Sequence, residues 1–263
     1  IYWFIVLLLY YKYLHSINTK RITIRMTSNK ILKSRLDGIY NLLKESYSGS
    51  PFLSSVIAGS LAALGLATDS TSTVVGSMLI SPIGTFIIQA NLQSFLKQYN
   101  YRIKDLQYSP WYIPLLLVMI STISLSYLIG KLFIHLNNPF TGEPLNKNWP
   151  THEMMARADP MSALYTIPVA LLCGIILPLI VVNSNSVGFV AIGIATSLIP
   201  PLANIGLSLN FKYNPVVHEP ELKYYKRNAV LTGFSIFLIN IILLLIPSRI
   251  LKTSLLTKTN IFD

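Results

Sequence analysis

Charge is what this sequence has least of. Charged residues make up 12% of its 263 positions, against roughly 25% in an ordinary soluble domain. Acidic residues are the scarcer sign, 10 against 21 Lys and Arg, which leaves a net charge of +11. An excess of that sign would suit nucleic acid, but the basic residues sit between and before long apolar blocks. No basic helix interleaved with exposed aromatics is present, so no nucleic-acid partner is expected. The single cysteine, Cys173, excludes an intramolecular disulfide and reads as a packing residue within an apolar block. There is no Asn-x-Ser/Thr sequon, so glycosylation gives no hint of topology.

Catalytic and metal signatures are missing too. No nucleophile elbow, phosphate loop or Gly-x-Gly-x-x-Gly occurs. His152-Glu153-Met154-Met155-Ala156 opens like a zinc-protease pattern but lacks the second histidine, and His15, His135 and His218 have no partner at ligand spacing. No metal, no cofactor and no enzymatic activity are expected.

What is present is apolar: 52% hydrophobic residues, with a mean hydropathy of +0.53. These residues come in long blocks rather than at amphipathic spacing, the mark of an integral membrane protein. Residues 1–14 are apolar and tyrosine-rich but short for a span of about 20 residues. Residues 1–25 read either as a truncated signal anchor or as upstream sequence before a start at Met26. Residues 26–50 are basic, and Leu32, Leu36, Ile39, Leu42 and Leu43 recur at helical spacing, as in an amphipathic surface helix. Residues 248–263 form a basic C-terminal tail.

The membrane domain, 51–247, contains six blocks: 52–67, 73–91, 111–130, 163–182, 187–209 and 229–246. Pro168 and Pro178 interrupt the fourth, and Pro247 stops the sixth. A polar loop, 131–162, divides them into repeats 51–130 and 163–247. Three segments per repeat force the second copy to enter from the opposite side, hence an inverted pair. The fold expected is all-α, with about six transmembrane segments. Segments 73–91 and 187–209 could either span or re-enter. With the N-terminus cytoplasmic, the stretches 30–44, 97–104 and 249–258 place more Lys and Arg inside than the other loops place outside. Ser55, Gly59 and Ala63 form a small-residue stripe suited to close helix packing.

Two motifs break the apolar pattern. Val75-Gly76-Ser77-Met78-Leu79-Ile80-Ser81-Pro82-Ile83-Gly84 lies in the second block and Ile192-Gly193-Ile194-Ala195-Thr196-Ser197-Leu198-Ile199-Pro200-Pro201-Leu202-Ala203 in the fifth. Proline removes a backbone donor and clashes with the preceding turn. Broken helices survive in a bilayer only where protein or a water-filled cavity covers them. A pair at matching places in two halves points to a transport-type site.

These residues resemble a family of multi-pass membrane proteins described as an uncharacterised hydrophobic domain, domain of unknown function 389. The resemblance rests on Leu61-Ala62-Ala63-Leu64-Gly65-Leu66, on Val74 to Pro82, and on Ala195 to Leu207 with its Pro200-Pro201 pair. It covers about residues 50–246. Asp69 stands where the family usually has asparagine, and Gly84-Thr85 where members often carry a Met-Gly-Pro run. The resemblance implies a membrane protein and no reaction.

The candidate binding residues are Asp69, Gly76, Ser77, Ser81, Pro82, Thr196, Ser197, Pro200, Pro201 and Asn204. Asp69 reads as a cation or proton site, or as an interfacial cap of the second block, made by itself or by Ser70. The hydroxyls read as a cavity lining, or as groups bonded back to carbonyls one turn earlier. Gln89 and Asn91 are ligands or interhelical partners. Glu153, Arg157 and Asp159 are expected in a solvated or interfacial loop helix before Pro160. The function expected is a secondary transporter or channel for a small solute or ion, with a polar or anionic solute favoured. The alternative is a scaffold or sensor that self-associates through Gly59 and Ala63. The partners expected are the lipid bilayer, a small solute or ion, and a second copy of the chain.

Overall fold

The computed structural model describes residues 37, 40, 51–84, 86–87, 90, 112–140, 142–182, 188, 191–192, 198–210 and 219–257. The expectations for residues 1–25, the surface helix of 26–50, Gln89, Asn91, Gly193, Thr196, Ser197 and the end of the tail lie outside these residues, apart from helical Asp37 and Tyr40. Among the described residues the elements are helical: α1 (Pro51–Ala67), α2 (Thr71–Ile80), α3 (Tyr112–His135), α4 (His152–Ala158), α5 (Pro160–Val182), α6 (Ile199–Ser208) and α7 (Glu219–Thr257). Three stretches, Tyr112–His135, Pro160–Leu177 and Tyr224–Ile246, are long and apolar enough to cross a membrane.

α1 starts at Pro51, whose fixed φ suits a first helical turn. A short turn follows it, and Ser70 caps α2 by accepting from the Thr73 amide at 3.4 Å. α2 stops after 10 residues because Ser81 is extended (φ −63°, ψ 126°), the conformation that a following proline imposes. α6 is also 10 residues long and carries Pro200 and Pro201 in its first turn, where no amide is needed. At 1.5 Å per residue each spans about 15 Å, half of a hydrocarbon core of about 30 Å.

Two proline expectations fail. α5 runs unbroken through Pro168 and Pro178, and α7 runs through Pro247 to Thr257. Pro247 has no amide to offer the Leu243 carbonyl four residues earlier. That carbonyl lies against Gly174 of α5, so closely that a Cβ on Gly174 would collide with it. A neighbouring helix thus covers the group that the proline frees, which is how proline is tolerated inside apolar helices. The predicted loop 131–162 is also shorter than expected, since α3 continues to His135, α4 lies within it and α5 begins at Pro160.

The long helices carry large apolar side chains outside, and α3 buries a stripe that is mostly small or hydroxylated. On α3 the buried stripe is Val118, Thr122, Ser126 and Gly130, whereas Leu116, Leu117, Ile120, Leu128 and Leu132 are exposed. Water would penalise that arrangement, and lipid does not, because its tails are as apolar as leucine. The small-residue stripe of α1 behaves as its spacing predicts. Gly59 sits against Thr122, whose Cα would lie 3.3 Å from an added Cβ, and Ala63 is fully buried. Both are used up within the chain.

α1 and α3 end beside α4, whereas α5 starts beside it and α7 passes it in its N-terminal half. α2 runs away from α4. α6 follows α3 in the same direction, with Gly206 at Ile123 and Ser126 and then Asn210 at Gly130. All ten residues of α6 are buried, against three of ten in α2. α6 is the axis of the described core.

An alanine at Gly206 would meet the Ile123 carbonyl and Ser126 Cβ, whereas one at Gly76 meets no atom within 4 Å. Gly206→Ala should therefore cost about 1–3 kcal/mol. Gly76→Ala should be neutral or stabilising by up to about 1 kcal/mol. Unfolding midpoints in detergent check this, and equal shifts would contradict the packing.

Candidate functional site

Polar groups converge on α4, a helix of seven residues. Its N-terminal amides are taken by side chains. Thr151 accepts from the Met154 amide at 3.2 Å, and Asp69 Oδ1 accepts from the Glu153 amide at 2.7 Å. The segment before α4 covers the end of α1 in return. Thr151 Oγ1 donates to the Leu66 carbonyl at 2.6 Å and Trp149 Nε1 to the Ala67 carbonyl at 2.9 Å. Trp149 also stacks on Phe133 of α3, ring centroids 5.9 Å apart.

The other side of α4 is held by the second half of the chain. Asn204 Nδ2 donates to the Met154 carbonyl at 3.0 Å, and its Oδ1 accepts from the Tyr225 hydroxyl at 2.7 Å. Thr232 donates to the Ala158 carbonyl, at the C-terminal end of α4, at 3.2 Å. The one carboxylate inside the arrangement is Glu153, 8% exposed, which accepts from Thr71 and pairs with Arg157. A buried carboxylate is tolerable only with such compensation.

These contacts change several expectations. Asp69 caps a helix as expected, but that helix is α4; Ser70 caps α2. The positive φ of Asp69, 56°, turns its carboxylate toward α4 and is a conformation that Asp tolerates better than most residues. Glu153 is buried, not solvated, although Asp159 is exposed as expected. Ser77 is fully buried and bonds back to the Val74 carbonyl at 2.6 Å, the helix-bending arrangement. Asn204 is fully buried with both amide atoms bonded within the protein.

Ser81 and Pro82 form a break with electrostatic consequences. Pro82 has no amide for the Met78 carbonyl, and the Ile83 amide turns to Ser81 Oγ at 3.3 Å. The last turn of α2 is thereby left without those two amides, at the negative end of its dipole. At the other break, Pro200 and Pro201 remove two of the free amides that would make the start of α6 an anion site.

Sequence reasoning missed Trp149, Thr151, Glu153, Tyr225 and Thr232 as members of one cluster. The one available signal was Thr151 after Pro150, a cap residue ahead of a short helical run. Nothing local in Tyr225 or Thr232 marks them.

The family model described as "Domain of unknown function (DUF389)" matches residues 78–246, from the end of α2 through both proline motifs to the apolar part of α7. The chain belongs to the DUF389 family. That membership, with three helices long enough to cross a membrane, makes this DUF389 chain a membrane protein. No curated protein and no solved structure matches it.

Replacing Asn204 by leucine strips α4 of its Met154 bond and removes the oxygen that accepts from the Tyr225 hydroxyl. Asn204→Leu should cost about 2–3 kcal/mol, and Tyr225→Phe, which removes one donor, about 1 kcal/mol. Thermal unfolding in detergent should rank the two in that order, and the reverse ranking would place the anchor elsewhere.

Proposed function

We propose that this DUF389 protein is a multi-pass membrane transporter or channel for a small polar or ionic solute, working by alternating access between two inverted halves. The observation that carries the reading is the pair of ten-residue helices, each broken at proline and each too short to cross a bilayer. Their directions support the inversion. In the first half α1 runs toward α4, α2 away and α3 toward it; in the second α5 runs away, α6 toward and α7 away. Each half also joins its two long helices through a glycine, Gly59 against Thr122 and Gly174 against Leu243. Six spanning or half-spanning segments then leave the start of α1 and the end of α7 on the side away from α4. Arg249 and Lys252 follow the apolar stretch of α7 on that side, which favours the cytoplasm.

The solute path runs past Asp69, Gly76, Ser77, Ser81 and Pro82 and past Pro200 and Pro201; Thr196 and Ser197, expected from the sequence to line it, lie outside the described residues. Asn204 serves it by holding α6 to α4. The amide-poor start of α6 and the carbonyl-rich end of α2 favour a cation or a hydrogen-bond-donating solute over the anion that the hydroxyl- and amide-bearing motifs suggested. The scaffold alternative loses its proposed contact, because Gly59 and Ala63 face inward.

A flux screen in proteoliposomes tests this with alkali cations, ammonium, inorganic anions and neutral amino acids. Wild type should carry a cation or donor solute, and both Ser81→Leu and Gly76→Leu should abolish that flux while remaining folded. Equal flux for every solute in all three proteins would remove the transport reading.

A further inference from the structure

We propose that α2 is the moving element of this protein and that Glu153 is its latch. Release of Asp69 and Thr71 from Glu153 lets α2 tilt away from α4 and opens the α4 face. The purpose of such a gate rests on the transport reading, but the latch itself rests on packing.

The two short helices are held very differently. Every residue of α6 is buried, and it is tied to α4 by Asn204 and through Asn204 to Tyr225 of α7, 0% and 4% exposed. Breaking those bonds would strand polar groups where no water can reach them. α2 buries only Val74, Ser77 and Met78, while Val75, Leu79 and Ile80 are exposed and the space beside Gly76 is open. Its backbone is broken at both ends, by the turn at Asp69 and by extended Ser81 before Pro82. A rod between two breaks is the arrangement that moves as a rigid body about hinge residues.

What holds that rod to α4 is polar and replaceable. Asp69 accepts from the Glu153 amide at 2.7 Å, and Thr71 donates to the Glu153 carboxylate. Both residues are exposed, so water can take over each bond as it breaks. Glu153 keeps Arg157 as its partner throughout, so release of Thr71 leaves no isolated buried charge. Trp149 and Thr151 remain on the end of α1 through buried bonds, which fixes the pivot at the turn between α1 and α2. Opening therefore exposes the inner face of α2, where Ser77 is fully buried in this closed arrangement.

The test is the labelling rate of Ser77→Cys by a charged maleimide, with the full chain in lipid nanodiscs. Asp69→Gly removes the acceptor while suiting the positive φ, and Thr71→Val removes the donor. Each should speed labelling roughly three- to tenfold, the effect of losing one solvent-accessible hydrogen bond of ordinary net strength. Asp69→Asn keeps an acceptor oxygen and should restore the parent rate. The native Cys173 on α5 reports general loosening and should not change. No increase in either variant, or an equal increase at Cys173, would overturn the latch. Labelling needs no transported solute, so a raised rate beside a failed flux screen keeps the gate and discards transport.

Discussion

The ends of short helices govern this structure. A helix leaves four amides and four carbonyls without internal partners, and in apolar surroundings each must find a partner within the protein. α4 and the segment before it meet that demand for several helices at once. Trp149 and Thr151 close the end of α1, Asp69 and Thr151 close the start of α4, and Thr232 closes its finish. A seven-residue helix whose buried apolar side chains are Met154 and Ala158 persists because it also satisfies, and is satisfied by, the ends around it.

The same demand explains how the prolines of the long helices are accommodated. Gly174 lets α5 come close enough to cover the carbonyl that Pro247 frees, so α7 need not stop there. At Ser81-Pro82 and Pro200-Pro201 the outcome differs, because the backbone leaves or has yet to enter the helix. At Pro247 the freed carbonyl meets a neighbouring helix and α7 continues.

What the sequence made legible follows from this distinction. The start and end of α1, the breaks at Ser81-Pro82 and Pro200-Pro201 and the close-packing stripe through Gly59 depend on nearby residues, and local pattern revealed them. The continuity of α5 and α7 past their prolines depends on a second helix, which no local pattern contains. Asp69 was recognisable as a cap but not as a cap of α4, because its partner Glu153 lies 84 residues away. Glu153 itself, polar and within a polar loop, gave no sign that Thr71 and Arg157 would let it be buried. Pattern could place the broken helices, but it could not tell that one is encased and the other half-exposed against α1.

The long separations between partners also impose an order on biosynthesis. Chains emerge N-terminus first, so the carbonyls of Leu66 and Ala67 enter the membrane well before Thr151 and Trp149 are made, 85 and 82 residues later. The Met154 carbonyl then waits 50 residues for Asn204, and the Ala158 carbonyl 74 residues for Thr232. Each newly inserted segment leaves an end open that a later one closes, and α7 supplies the last of these closures. A ribosome halted before Thr232 would hold a nascent chain that lacks most of α7 and the last of these closures.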